Sequence, residues 1–224
     1  MTARDSNRGG CCQSCRWSYG LFRQTDENEI PLYSEEDAPF VMSAKDLNLI
    51  EYVPQLIEAG IDSFKIEGRM KSIHYIATVV SVYRKVIDAY CADPENFVFK
   101  EEWKEELAKC ENRETDYGFI EGLPGYKQQL FENHSHKPSH EFAGMVLDYD
   151  AKEKMVTLQQ RNHFKVGDEV EFFGPDIDNF TMVVRDLYDE EGNEIDAARH
   201  PLQIVRFRVD RPVYRYNLMR REVQ

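Results

Sequence analysis

The sequence holds 224 residues, 42% hydrophobic and 31% charged, with a formal net charge of -13. That is the composition of a globular chain with a core of its own, in one large domain or two small ones, and its acidity excludes a generic nucleic-acid coat protein. No apolar run approaches the roughly 20 residues of a membrane helix, and the polar start Met1-Thr2-Ala3-Arg4-Asp5 is no signal peptide. The expected location is the cytoplasm, with no membrane partner.

The first element is RDSNRGGCCQSCRW, residues 4–17. It carries Cys11, Cys12 and Cys15, three of the chain's five cysteines, within five residues. In a cytoplasmic chain such a cluster points to metal or redox chemistry before disulfides. Thiolate is the soft ligand that iron–sulfur clusters take, and nearby Arg8 and Arg16 favour thiolate. A single cluster usually takes four ligands, so three crowded thiols do not complete one. Spacing alone leaves ligands and ordinary half-buried thiols equally open. Residues 1–24 set Arg4, Arg8, Arg16 and Arg23 against Asp5, a locally basic end that suits phosphate.

Alternating aromatic and polar residues predict a strand over 15–23. Six acids and no base between Asp26 and Asp37 predict an exposed loop. Residues 40–50 read as a short strand entering a helix, with Ser43 as N-cap. Pro54 fits the first turn of a second short helix that Gly60 ends. IDSFKIEG, 61–68, reads as a strand. From Ser72 to Tyr90 the sequence predicts the clearest helix, with Ile76, Val79, Val80, Tyr83, Val86, Ile87 and Tyr90 as its apolar stripe. This alternation is an α/β pattern.

The composition shifts after Ala92. A proline break and a short charged helix lead into 112–140, which is rich in Gly, Pro and His and reads as linker. From Glu141 onward strands dominate: FAGMVLDYD, KMVTLQQRN, DEVEFFGP, FTMVVRDLYD and QIVRFRVD, each bounded by turn residues. The expected architecture is therefore α/β over 1–92, a helical and loop linker over 93–140, and a small all-β barrel over 141–224.

Three stretches together, RDSNRGGCCQSCRW, SAKDLNLIEYVPQLIEAGIDSFKIEGRMKS and HFKVGDEVEFFGP, resemble the collagenase-like peptidase U32 family. Within it they are most similar to the branch that hydroxylates the wobble uridine of tRNA. The resemblance covers the whole chain but only the C-terminal half of a typical member. It implies a partial TIM-barrel-like catalytic domain followed by the small barrel, and a chain incomplete as an enzyme. It implies an iron–sulfur cluster, with Cys11 and Cys15 on the family's motif cysteines and Cys12 as an extra neighbour. Many relatives carry a further cysteine where this chain has Asn48, which leaves the ligand set open. It also implies prephenate, a dicarboxylate, as co-substrate, tRNA as partner, and a separate N-terminal half or a family paralogue as a further partner.

Glu67 and Arg69, with Lys65 and Lys71, sit at a strand end, where TIM-like barrels place their chemistry. An arginine there suits a dicarboxylate through paired hydrogen bonds, while a salt-bridged strand exit is the plainer reading. His134, His136 and His140 have metal-ligand chemistry but lie in linker sequence, which favours a solvated loop. Cys91 and Cys110 read as packing or incidental thiols. The C-terminal segment YRYNLMRR mixes aromatics with arginines, which suits RNA stacking and phosphate pairing. Arg215, Arg220 and Arg221 are its candidate RNA contacts, and a stabilising domain with snorkelling arginines is the alternative. The chain has no HExxH or GxSxG motif, so a collagenase-like peptidase is the second functional reading. A catalytically inactive fragment that keeps an RNA-binding barrel is the third.

Overall fold

The computed structural model describes residues 10, 12, 14, 17–19, 22–24, 29–31, 40–41, 43–68, 71–110, 113–124, 128–130 and 138–223. They fall into two compact units, one of 1–49 with 112–137 and one of 50–111 with 138–224.

In the first unit the described backbone forms short ladders. Ser18–Tyr19 pairs with Phe40–Val41, and Phe22–Gln24 with Glu29–Pro31, both antiparallel. Asp46–Leu47 runs parallel to Thr115–Asp116, with Lys45 and Glu114 closing an ion pair of 2.9 Å beside it. Ser43 is not a helix cap. It lies in a strand, Ser43–Ala44, that pairs with Gln129–Leu130. The helix begins later because Pro54 supplies a ready-made first turn.

The second unit starts with α1, Val53–Glu58, which ends before Gly60 at φ 80°. Residues 61–68 keep the alternation of a strand, Phe64 and Ile66 half-buried and Lys65 and Glu67 exposed, but form no ladder among the described residues. Sequence patterning supplies the side-chain alternation; a strand also needs a neighbour for its backbone groups. Helix α2, Ile73–Ala92, is capped by Ser72, whose hydroxyl accepts from the Tyr75 amide at 3.2 Å. Its buried face is not the apolar stripe alone. Val79, Val82, Val86 and Tyr90 are buried, but so are His74 and Thr78, whereas Ile76 and Val80 are exposed. Helix α3, Glu102–Ala108, turns Trp103 and Leu107 inward. Ile50, Val53, Val82, Val86, Trp103, Leu107 and Cys110 make one core, and Phe97 and Phe99 close on Trp103 at 6.0 and 5.2 Å.

The rest of this unit is β. Seven strands, β1 His140–Asp150, β2 Met155–Gln160, β3 Glu169–Gly174, β4 Ile177–Val183, β5 Tyr188–Asp189, β6 Ile204–Arg208 and β7 Leu218–Glu222, form one antiparallel sheet. Its order is β4-β3-β7-β1-β2-β6-β5. The five strands expected from sequence are all present. The strand over 218–222 was not expected, and it is the one inserted between β3 and β1. Val146, Val156, Leu158, Phe164, Phe172, Phe207 and Met219 fill the sheet's core with almost no exposure. Each such side chain contributes about 1.5–3 kcal/mol. Burial alternates along β2 as a one-faced strand requires. Along β7 it does not: Leu218, Met219 and Arg220 are all buried, because the sheet's outer face is covered there too.

The expected segments 1–92, 93–140 and 141–224 do not coincide with the two units. The helices of 50–111 pack with the sheet of 138–224, and polar contacts described next hold them. The architecture is mixed, a large antiparallel sheet with few helices.

Candidate functional site

The outer face of the sheet carries a row set by register. Phe142 on β1 lies opposite Arg220 on β7, and Arg220 lies opposite Glu171 on β3. Cross-strand neighbours of opposite charge attract, and Arg220 Nε donates to Glu171 Oε2 at 2.7 Å. Helix α3 places Glu106 over the same guanidinium, and Arg220 Nη2 donates to its two oxygens at 2.7 and 2.8 Å. The guanidinium carbon, Cζ, lies 4.3 Å from the centre of the Phe173 ring. Lys109 Nζ reaches both Glu171 oxygens at 3.1 Å and Glu106 at 3.1 Å, while Asn179 Nδ2 donates to Glu106 at 3.2 Å.

Two cations thus face two carboxylates. Burial by itself raises the Glu106 and Glu171 carboxyls; Arg220 and Lys109 outweigh it and hold both below the usual carboxylate range. His74, on α2, stacks on Phe142 and meets Phe173 edge-on, centroids 6.1 and 5.6 Å away. Burial, then Arg220 and His140, lower its pKa to about 4. It is therefore neutral at physiological pH. His74 Nε2, Thr78 Oγ1 and Arg220 Nη1 are buried with no hydrogen-bond partner.

This position corrects the reading of Arg220 as an RNA contact. It has 0% exposure, and its donors face carboxylates. Arg221 is half-buried and paired with Glu141 and, at 2.9 Å, with Asp168. It borders a cavity of about 310 Å³ that Asp168, Glu169, Glu171 and Glu222 also line, an acidic wall that repels phosphate. Arg215 differs. It is exposed, with its guanidinium 4.9 Å from the Tyr216 ring centre.

Tyr214, Arg215 and Tyr216 form a turn between two anchors, Val213 at 0% and Asn217 at 1% exposure. Asn217 Oδ1 accepts from the Tyr214 amide at 2.8 Å, and the Tyr216 amide donates to Val146 O at 2.9 Å. Tyr216 sits at φ 74°, in a region that costs a non-glycine residue about 1–2 kcal/mol. A Cβ on Gly174 would lie 2.2 Å from Asn217 Nδ2, so only glycine lets the anchor seat.

Cys11, Cys15 and Arg69 lie outside the described residues, as do His134 and His136. Cys12 is half-buried. Glu67 is exposed at the end of 61–68. His140 starts β1, and its Nδ1 lies 3.0 Å from Ser139 Oγ. Among the described residues no three His, Cys, Asp or Glu side chains gather as metal ligands. Cys110 is buried, its thiol 3.3 Å from Leu107 O, and Cys91 is exposed. Sequence reading missed Glu106, Lys109, His74 and Asn217. Glu106 had a signal: positions 103, 106, 107 and 110 share one face of a helix, and three of them are apolar.

Helices bound through buried ion pairs to an antiparallel sheet, in a chain that opens on a cysteine cluster, define a two-part protein. The chain belongs to peptidase family U32: residues 1–130 match "Peptidase family U32" and 138–220 match "Peptidase family U32 C-terminal domain". It is 66% identical, over 99% of its length, to "tRNA hydroxylation protein P1" of Bacillus subtilis, covering 52% of that protein. It is 26% identical over 88% of its length to "tRNA hydroxylation protein P" of Haemophilus influenzae, covering 52% of it. A "Collagenase" of Porphyromonas gingivalis is 29% identical over 76% of the chain, with 40% of that protein covered. The chain spans about half the length of the relatives it matches most fully. No described helix is long and apolar enough to cross a membrane.

Proposed function

We propose that this chain is the C-terminal part of a cytoplasmic tRNA-modifying enzyme that hydroxylates the wobble uridine, with prephenate as co-substrate. The observation that carries this reading is the 66% identity to a tRNA hydroxylation protein across nearly the whole chain. In it, residues before the sheet belong to a TIM-barrel-like catalytic domain, completed by an N-terminal half or a paralogue. Glu67 and Arg69 face the substrate, and the Arg69 guanidinium holds a carboxylate of the co-substrate by paired hydrogen bonds.

Cys11, Cys12 and Cys15 are the proposed ligands of an iron–sulfur cluster, which would supply one-electron redox chemistry. They fit such a cluster in kind, as thiols, and are three where a single cluster usually takes four ligands. The collagenase likeness supports peptide cleavage as the second reading, at less than half the identity.

The test is nucleoside mass spectrometry of tRNA from cells with and without the gene. Loss of the hydroxylated wobble uridine on deletion is expected; an unchanged level overturns the proposal. Iron and sulfide, measured after anaerobic purification of this chain and of a version extended upstream, test the ligand assignment separately. Iron retained in the extended version after replacement of Cys11, Cys12 and Cys15 by Ala removes them from the ligand set.

A further inference from the structure

We propose that the turn 214–216 is a stacking platform for an unpaired nucleobase of the RNA. The inference rests on the RNA-modification reading and names the residues that would grip the strand. Tyr214 and Tyr216 are 52% and 62% exposed, in a molecule whose other rings of the sheet core are buried. Neither ring belongs to the core. They are also not loose. The buried anchors Val213 and Asn217 stand on either side, and the hydrogen bonds that the Tyr214 and Tyr216 amides donate to Asn217 Oδ1 and Val146 O fix the backbone between them. A fixed ring loses little freedom when a base lies on it.

Arg215 lies over one face of the Tyr216 ring at 4.9 Å, so the outer face of the guanidinium continues the stack, and bases stack on guanidinium planes as they do on aromatic rings. Charge favours an anionic partner. Residues 210–217 contain Arg211 and Arg215 against one acid, Asp210, and Arg185 engages both Asp210 oxygens at 2.8 and 3.1 Å. Arg211 and Arg215 thus share this segment with one carboxylate that Arg185 neutralises, on an otherwise acidic chain. Single-stranded RNA supplies both an open π-face and the adjoining phosphate; a duplex supplies only the second.

The full 224-residue chain is titrated against a labelled RNA hairpin with an open loop, and against a blunt duplex of the same length. Wild type is expected to prefer the hairpin. Tyr214→Ala with Tyr216→Ala is expected to weaken hairpin binding about 5- to 100-fold for each stacked base lost and to leave duplex binding unchanged. Tyr216→Phe keeps the affinity. Emission from Tyr216→Trp is quenched by oligouridylate, a direct sign of stacking. Hairpin binding that survives the double alanine variant, with its unfolding midpoint unchanged, overturns the platform and leaves the RNA reading standing. No RNA binding by wild type overturns the platform and counts against RNA contact by this chain. Displacement of the hairpin by polyglutamate at equal charge overturns it in favour of a protein partner.

Discussion

Residues 214–216 and residues 218–220 follow almost directly on one another, yet the first three are exposed and the last three are buried. Both triplets contain an arginine, and from sequence the two arginines look alike. What separates them is the element that covers each. Arg220 lies in mid-sheet under α3, where burial forces it to find Glu106 and Glu171. Arg215 rides on a turn outside the ladder, where water solvates it and no carboxylate is needed. An arginine-rich segment is thus a mixture of structural and contact residues, sorted by the secondary structure beneath it.

The contrast can be broken most forcefully at Arg220. Arg220→Ala leaves two half-buried carboxylates with Lys109 as their one cation and Asn179 as a neutral donor to Glu106, and is expected to remove about 3–5 kcal/mol of stability in denaturant titration. A loss under about 1 kcal/mol would mean the ion pairs do not hold helix and sheet together. Acid sharpens the same point. The His74 pKa falls from 6.5 to about 4 on folding, so the unfolded chain takes up its proton first as pH drops. Its contribution is intact above pH 6.5 and lost between 6.5 and about 4, on the order of 3 kcal/mol. Glu106 and Glu171 are held below their ordinary 4.5, so their contribution is lost only at lower pH. His74→Phe should flatten stability between pH 6.5 and 4.5 and leave the steeper acid limb in place; an unchanged profile would place the histidine's titration elsewhere.

The turn tests the other side. Gly174→Ala drives a methyl into Asn217 and should cost about 1–3 kcal/mol, read as a lower unfolding temperature, with RNA affinity falling alongside. Arg215→Ala should change stability by no more than about 0.5 kcal/mol while weakening RNA binding. A large stability loss there would mean Arg215 is structural as well.

Much of the sheet was legible because period-2 alternation and turn residues are local signals: the strands around Val156, Phe172 and Phe207 needed nothing else. β7 was not, since Leu218, Met219 and Arg220 are buried on both faces and so carry no alternation. The same cause hid the site. Arg220 reads as solvated until the partners at 106 and 171 arrive from far along the chain. His74 was passed over because it sits off the apolar stripe of α2, on a face that only the sheet makes interior. The strand over 61–68 failed in the opposite way, with its pattern present and its ladder missing. The cysteine cluster was legible as chemistry, and its ligand count was not, because ligands are counted in space.

The place of β7 in the sheet also sets an order of events. Until residues 218–222 exist, β1 and β3 cannot be bridged, and each presents an open row of backbone donors and acceptors. A growing chain therefore carries two sticky borders through the whole synthesis of its sheet and loses both in one late step. Its contacts span distant parts of the sequence, which slows that step. The period of greatest exposure to misassembly comes just before completion, when nearly all of the sheet is present and its middle is still vacant.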